Sequence, residues 1–90
     1  MLYIVETAIC RYAGNNKIYK FDNLTEAKKY AEKKQKKTKN SVNVYKVIST
    51  EIKPCYLREE TYTIYKTNKV YDGKTNTDVI SSLPYEIREY

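Results

Sequence analysis

The stretch Phe21-Asp-Asn-Leu-Thr-Glu-Ala-Lys-Lys-Tyr-Ala-Glu-Lys-Lys-Gln-Lys-Lys-Thr-Lys-Asn40 reads as one amphipathic helix, and the rest of the chain reads as strands arranged about it. Asn23 is placed to act as N-cap, and Glu26 stands three residues on, where a capping-box carboxylate belongs. From Leu24 the small and apolar side chains recur at Ala27 and Ala31, which puts them on one helical face. Beyond Ala31 that stripe is continued only by Lys34, Gln35 and Thr38, so the second half of the helix buries little. Asn40 and Ser41 are its expected end.

The same stretch holds the charge of the molecule. Between Lys28 and Lys39 lie seven lysines and one acid, Glu32, so the segment carries +6, the net charge of the whole 90-residue chain. Outside it, ten basic and ten acidic residues cancel. Lys29, Lys33, Lys36 and Lys37 fall opposite the Leu24, Ala27, Ala31 stripe, with Lys28, Lys34 and Lys39 on its flanks. Such a face is either a solvated surface that keeps a small domain soluble or a track for phosphate. Lysine outnumbers arginine 14 to 3, which suits point-charge contact with phosphate better than bidentate reading of bases.

Upstream, Leu2 to Tyr12 is rich in Ile, Val, Thr and Tyr and reads as a first strand. Ala13 to Asn16 supplies turn residues, and Lys17 to Phe21 completes a hairpin. Downstream, Val42 to Lys53 is a third strand, with Val42, Val44 and Ile48 on one face and Tyr45 and Val47 on the other; Pro54 closes it. Thr61 to Val70 is a fourth, either continuous or bent at Thr67-Asn68. Asp72-Gly73 signals a turn. In the last stretch, Val79-Ile80 suits a short strand and Ser82-Leu-Pro84-Tyr-Glu the start of a terminal helical turn.

The expected architecture is therefore α+β: a single domain, residues 1–90, with an antiparallel sheet in β-β-α-β-β order and one helix packed on one face. Apolar and aromatic residues occur on both faces of these strands. The second face therefore calls for a cover, which is the C-terminal segment, a second copy of the chain as a homodimer, or a partner.

Chemistry-bearing constellations are sparse. The chain has no histidine, which removes the usual general base near neutral pH, the Ser-His and Cys-His pairs, and the commonest metal ligand. The acids are scattered, and an acid-dependent enzyme requires Glu59, Glu60 and Asp72 or Asp78 to converge on one cleft. Gly73-Lys74-Thr75 mimics the end of a P-loop, but Asn68 stands where its first glycine belongs and no helix is expected to start at Lys74. Cys10 and Cys55 have neither CxxC spacing nor a histidine, and read as free thiols in a reducing compartment or as one disulfide if the protein is exported. Met1 to Cys10 lacks the pattern of a signal peptide, and no run is long enough for a membrane helix.

The expected function is thus a small non-catalytic binding or inhibitor protein, cytoplasmic, without cofactor or metal, docking on a macromolecular partner such as a nucleic-acid-handling complex. The A/T-rich codon usage implied by 40 Lys, Asn, Ile and Tyr residues suits a phage or mobile-element origin. The alternative is a sequence-tolerant nucleic-acid binder. Contact residues in either case are Lys28, Lys29, Lys33, Lys36, Lys37 and Lys39, with Tyr45, Tyr62 and Tyr65 from the sheet, since tyrosine rings serve both interfaces and base stacking.

Overall fold

Asn23 sets the first turn of the helix: its Oδ1 accepts the amides of Thr25 at 2.7 Å and Glu26 at 3.3 Å, two donors that would otherwise be orphaned. The structure, a computed structural model, describes residues 1–7, 17–57, 59–81 and 83–90. Its helix, α1, spans Leu24–Gln35, five residues short of the end that composition suggests. Gln35 accounts for the difference. Its Nε2 donates to the carbonyls of Thr38 at 3.2 Å and Asn40 at 2.7 Å, while its Oε1 accepts the Val42 amide at 2.8 Å. One side chain thereby ends the helix, folds the connecting turn and starts the next strand.

Among the described residues six strands accompany the helix: β1 Tyr3–Thr7, β2 Lys17–Phe21, β3 Val42–Pro54, β4 Thr61–Asp72, β5 Thr77–Asp78 and β6 Tyr85–Glu89. Four strands follow the helix instead of the expected two, so the β-β-α-β-β order is corrected to β-β-α-β-β-β-β while the α+β class stands. All the pairings are antiparallel. The sheet runs β2-β1-β3-β4, and both β5 and β6 lie along the far edge of β4. β4 continues through Thr67 and Asn68 without a bend, and Tyr85–Glu89 is a strand and not a helical turn. The expected continuation of the first strand to Tyr12, and the turn at Ala13 to Asn16, fall outside the described residues.

The helix covers one sheet face. Ala27 and Ala31 meet Val5, Val42, Val44 and Tyr71, all buried, and Tyr30 adds the bulk the two alanines lack, its ring 4.9 Å from Tyr19 and 5.3 Å from Phe21. Leu24, expected on this stripe, is left at its exposed rim.

The opposite face closes on itself. Register irregularities between Val44 and Tyr45 and between Val47 and Ser49 mark bulges, which bend and twist the strands that carry them. The sheet curls until its two edges meet, with Lys20 of β2 3.1 Å from Glu89 of β6. Within the curl lie Ile4, Tyr45, Tyr65 and Ile87, packed by Leu2, Ile18 and Val47. Tyr85 stacks on Tyr45 at 5.0 Å and donates its hydroxyl to Glu6 at 3.2 Å. The chain's own C-terminal strand β6 contributes to the cover of this face through Ile87.

The inner phenols tie stability to alkaline pH. Burial is the leading cause that raises Tyr45, Tyr65 and Tyr85, and likewise Tyr30 and Tyr71 on the helix side, above the ordinary phenol value. A folded pKa above the unfolded one gives stability that is complete below the unfolded pKa of about 10 and is lost as pH rises through the folded values. We expect these five tyrosines to resist ionisation in a spectrophotometric titration until the fold is lost, in one cooperative step coincident with loss of far-UV dichroism. Stepwise ionisation of all eleven with the fold intact would contradict the buried positions.

Candidate functional site

Seven lysines in one segment do not make seven equivalent charges, because the helix and the turn after it sort them. Lys28 points back onto the sheet, 2.6 Å from Asp78 and 5.5 Å from the centre of the Tyr71 ring. Lys34 lies over Tyr19 at 5.6 Å. Both lay their stems along the body of the protein and act as structural cations. The other five, Lys29, Lys33, Lys36, Lys37 and Lys39, are exposed, and no ion pair to a described residue engages them. Lys29, Lys33 and Lys36 follow one another at helical spacing along the outer face, and Lys37 and Lys39 continue the run into the turn that Gln35 organises. Their place beyond the last helical turn also complements the negative end of the macrodipole.

The tyrosines proposed alongside them lie elsewhere. Tyr45 and Tyr65 are each only 6% exposed, inside the curl on the sheet face opposite the helix. Tyr62 is half-buried near the start of β4, stacked on Tyr90 at 5.2 Å with the Arg88 guanidinium 5.9 Å from its ring centre. It is in register with Lys53. The lysine run meets β3 at Val42, and eleven residues of strand between Val42 and Lys53 span about 36 Å. Tyr62 and the lysine ridge are therefore not one site.

In the sheet, tyrosine and lysine stand side by side at Tyr19-Lys20, Tyr45-Lys46 and Tyr65-Lys66, and these pairs follow strand alternation. Tyr19 faces the helix while Lys20 turns to Glu89, and Tyr45 and Tyr65 face inward while Lys66 is exposed. Lys20 is raised, chiefly by its hydrogen bond to Glu89. Burial pushes the Glu89 carboxyl up, but the Tyr65 hydroxyl and Lys20 outweigh it and leave it below the ordinary value.

The carboxylates that an acid-dependent enzyme would need are dispersed. Glu59 and Glu60 are exposed just before β4 begins, and Asp72 ends it, again about 36 Å away along the strand. Asp72 is held below the ordinary carboxylate range first by Lys69, whose Nζ is 2.9 Å away. Asp78 holds Lys28. The P-loop mimic is likewise occupied from within: the amides of Lys74 and Thr75, which would face a phosphate, donate to Asp72 Oδ1 at 2.9 and 3.2 Å. Cys55 is a free thiol; Cys10 lies outside the described residues. Among the described residues no helix is long and apolar enough to cross a membrane.

Sequence reasoning passed over one further surface. β3 and β4 extend as an arm past the end of β1, and Ile48, Ile52, Tyr56 and Leu57 are exposed along it and at its tip. The signal was present in sequence as apolar residues beside Pro54, but exposure there depends on how far along β3 the pairing with β1 reaches. No family model, curated protein or solved structure matches this chain.

Proposed function

We propose that this chain is a small non-catalytic binding protein that docks on a phosphate-bearing macromolecular partner, a nucleic-acid-handling complex, through Lys29, Lys33, Lys36, Lys37 and Lys39. The observation that carries the reading is the sorting of the lysines. The two that can reach the sheet are engaged there, while five successive outward ones are left with no described carboxylate. An isolated patch of one sign attracts a polyanion and raises its local concentration. The absence of histidine and the dispersal of the carboxylates favour binding over catalysis. In this reading the protein acts as an inhibitor or accessory factor of phage or mobile-element type, by occupying the track that phosphate would use.

A second reading, direct and sequence-tolerant binding of nucleic acid, uses the same five lysines and separates on salt. Neutralising about four phosphates of a duplex gives a log-log slope near −3.6, so affinity should fall about 150-fold between about 50 and about 200 mM salt. Fluorescence anisotropy with generic single- and double-stranded oligonucleotides measures this. Binding that collapses in this way assigns the ridge to nucleic acid itself. Absence of binding at the lower salt, with capture of a protein–nucleic-acid complex that is lost in the K29E/K33E/K36E/K37E variant, assigns it to the complex. Full affinity for either target in that variant removes the ridge from both readings.

A further inference from the structure

We infer that the outer edge of β3, from Ile48 to Pro54, is a self-complementary strand that pairs with the same edge of a second copy of this chain. This surface is separate from the lysine ridge and does not depend on its role.

The edge is open along one side only. β1 pairs β3 as far as Lys46, with a last bond from the Val47 amide to the Leu2 carbonyl at 3.0 Å. β4 continues to pair β3 through Pro54, and β6 takes the other edge of β4 from Thr63 to Thr67. Among the described residues the arm is therefore three strands wide with one unpaired margin, and all seven residues from Ile48 to Pro54 are exposed, Ile52 at 68%. Unpaired edges of this kind are templates for another strand unless they are blunted. Here the blunting lies at the two ends, the bulge at Ile48 and Pro54, and the stretch between them reads Ser49-Thr-Glu-Ile-Lys53.

Strand geometry sets which backbone groups face outward. Residues on one face of a strand send their N–H and C=O to the same side. Val47, on the inner face, sends its N–H toward β1. Thr50 and Ile52 lie on that inner face too, opposite Tyr65 and Thr63 across the ladder, so their N–H and C=O point to the free edge. Antiparallel pairing about a two-fold axis normal to the sheet must match outward residues with outward residues. The axis can then pass only through a residue, and the choice of residue decides which charges meet.

An axis through Glu51 sets the two glutamates against each other, and one through Lys53 sets the two lysines together. An axis through Ile52 places Glu51 of each copy opposite Lys53 of the other, on both sides of the axis. It also lets Ile52 exchange a hydrogen bond in each direction with its symmetry mate. The Thr50 N–H then reaches the Pro54 carbonyl, a pairing that makes no use of the N–H proline lacks. Within one chain Glu51 and Lys53 are a loose 3.9 Å apart; across the axis each gains a directly opposed partner, the arrangement that stabilises cross-strand pairs. The exposed Ile52 side chain meets its own copy on the inner face. Charge and register select one occupant, a second copy of the chain.

Light scattering and sedimentation of the full chain against concentration test this, using E51K, K53E and the double variant E51K/K53E. The wild type should be a dimer at high-micromolar concentration. Each single variant sets like charges opposite each other twice and should weaken the dimer by about tenfold or more. The double variant restores opposite charges and should recover it. An equimolar mixture of E51K and K53E should form a heterodimer, since one strand then carries two cations and the other two anions. Diluted until all are monomeric, the single variants should match wild type in far-UV dichroism and thermal midpoint because both positions are exposed; recovery in the mixture excludes misfolding as the cause of dissociation. A wild type that stays monomeric, or single variants as dimeric as wild type, would overturn the proposal, and neither result bears on the lysine ridge.

Discussion

Ile87→Ala is expected to remove about 2–5 kcal/mol of stability, a large part of the roughly 5–13 kcal/mol typical for a domain of this length. Ile87 is 3% exposed and is the residue through which β6 enters the inner cluster with Ile4, Tyr45 and Tyr65. Truncating it leaves a cavity that the curl cannot easily collapse, because the rings around it are held: Tyr65 donates to Glu89 at 2.9 Å, and Tyr85 stacks on Tyr45 while bonded to Glu6. Lys20→Ala, which breaks the ion pair joining the two sheet edges, should cost about 1 kcal/mol or less, since both of its side chains are substantially exposed to water. The comparison decides what closes the sheet. Urea unfolding followed by dichroism, with equal m values for the two variants, reads the difference directly. A Lys20→Ala cost equal to that of Ile87→Ala would make the closure electrostatic instead.

That closure also marks where sequence reasoning stopped. Local signals were strong where one element could be judged by itself: the Asn23 cap, Lys17–Phe21, and the start of β3 at Val42 all lie where turn residues and alternation place them. The opposition of Val42 and Val44 to Tyr45 and Val47 was legible for the same reason, since alternation is a property of the strand alone. β6 was not legible. Pro84 before Tyr-Glu fits a helix N-terminus as well as a strand, and Tyr85–Glu89 becomes a strand only because β4 offers it an edge. The end of α1 was missed because the residue that sets it, Gln35, bonds to a strand seven residues later. The bulges at Val70 and Ile48 carry no sequence signature, yet they turn a sheet with two apolar faces into one that buries both. For the candidate site, the concentration of charge was evident from composition. The inward turn of Lys28 and Lys34 was not, because Asp78, Tyr71 and Tyr19 come from other elements.

Gly73→Ala is expected to cost about 3 kcal/mol or more, at or beyond the upper end for overpacking, because the obstacle is main chain. A Cβ at position 73 would stand 2.0 Å from the Val42 carbonyl oxygen, 3.1 Å from its carbon and 2.8 Å from Gln35 Oε1. The Gln35 amide could swing aside, but it already receives the Val42 N–H and closes the helix-to-strand turn. The Val42 carbonyl belongs to the first residue of β3, which pairs with Thr7 of β1, so moving it disturbs the centre of the sheet. Lys74→Ala, one residue on and exposed, should change stability by no more than about 0.5 kcal/mol. The pair of results separates two uses of the Gly-Lys-Thr sequence. A phosphate-binding loop would need Lys74 and free amides, whereas a close approach of β4 to the helix-to-strand turn needs only Gly73. A double-mutant cycle sharpens the assignment: if the backbone clash dominates, Gly73→Ala should cost nearly as much in a Gln35→Ala background as in wild type. Full relief by Gln35→Ala would locate the obstacle in the glutamine side chain and leave the Val42 carbonyl free to yield.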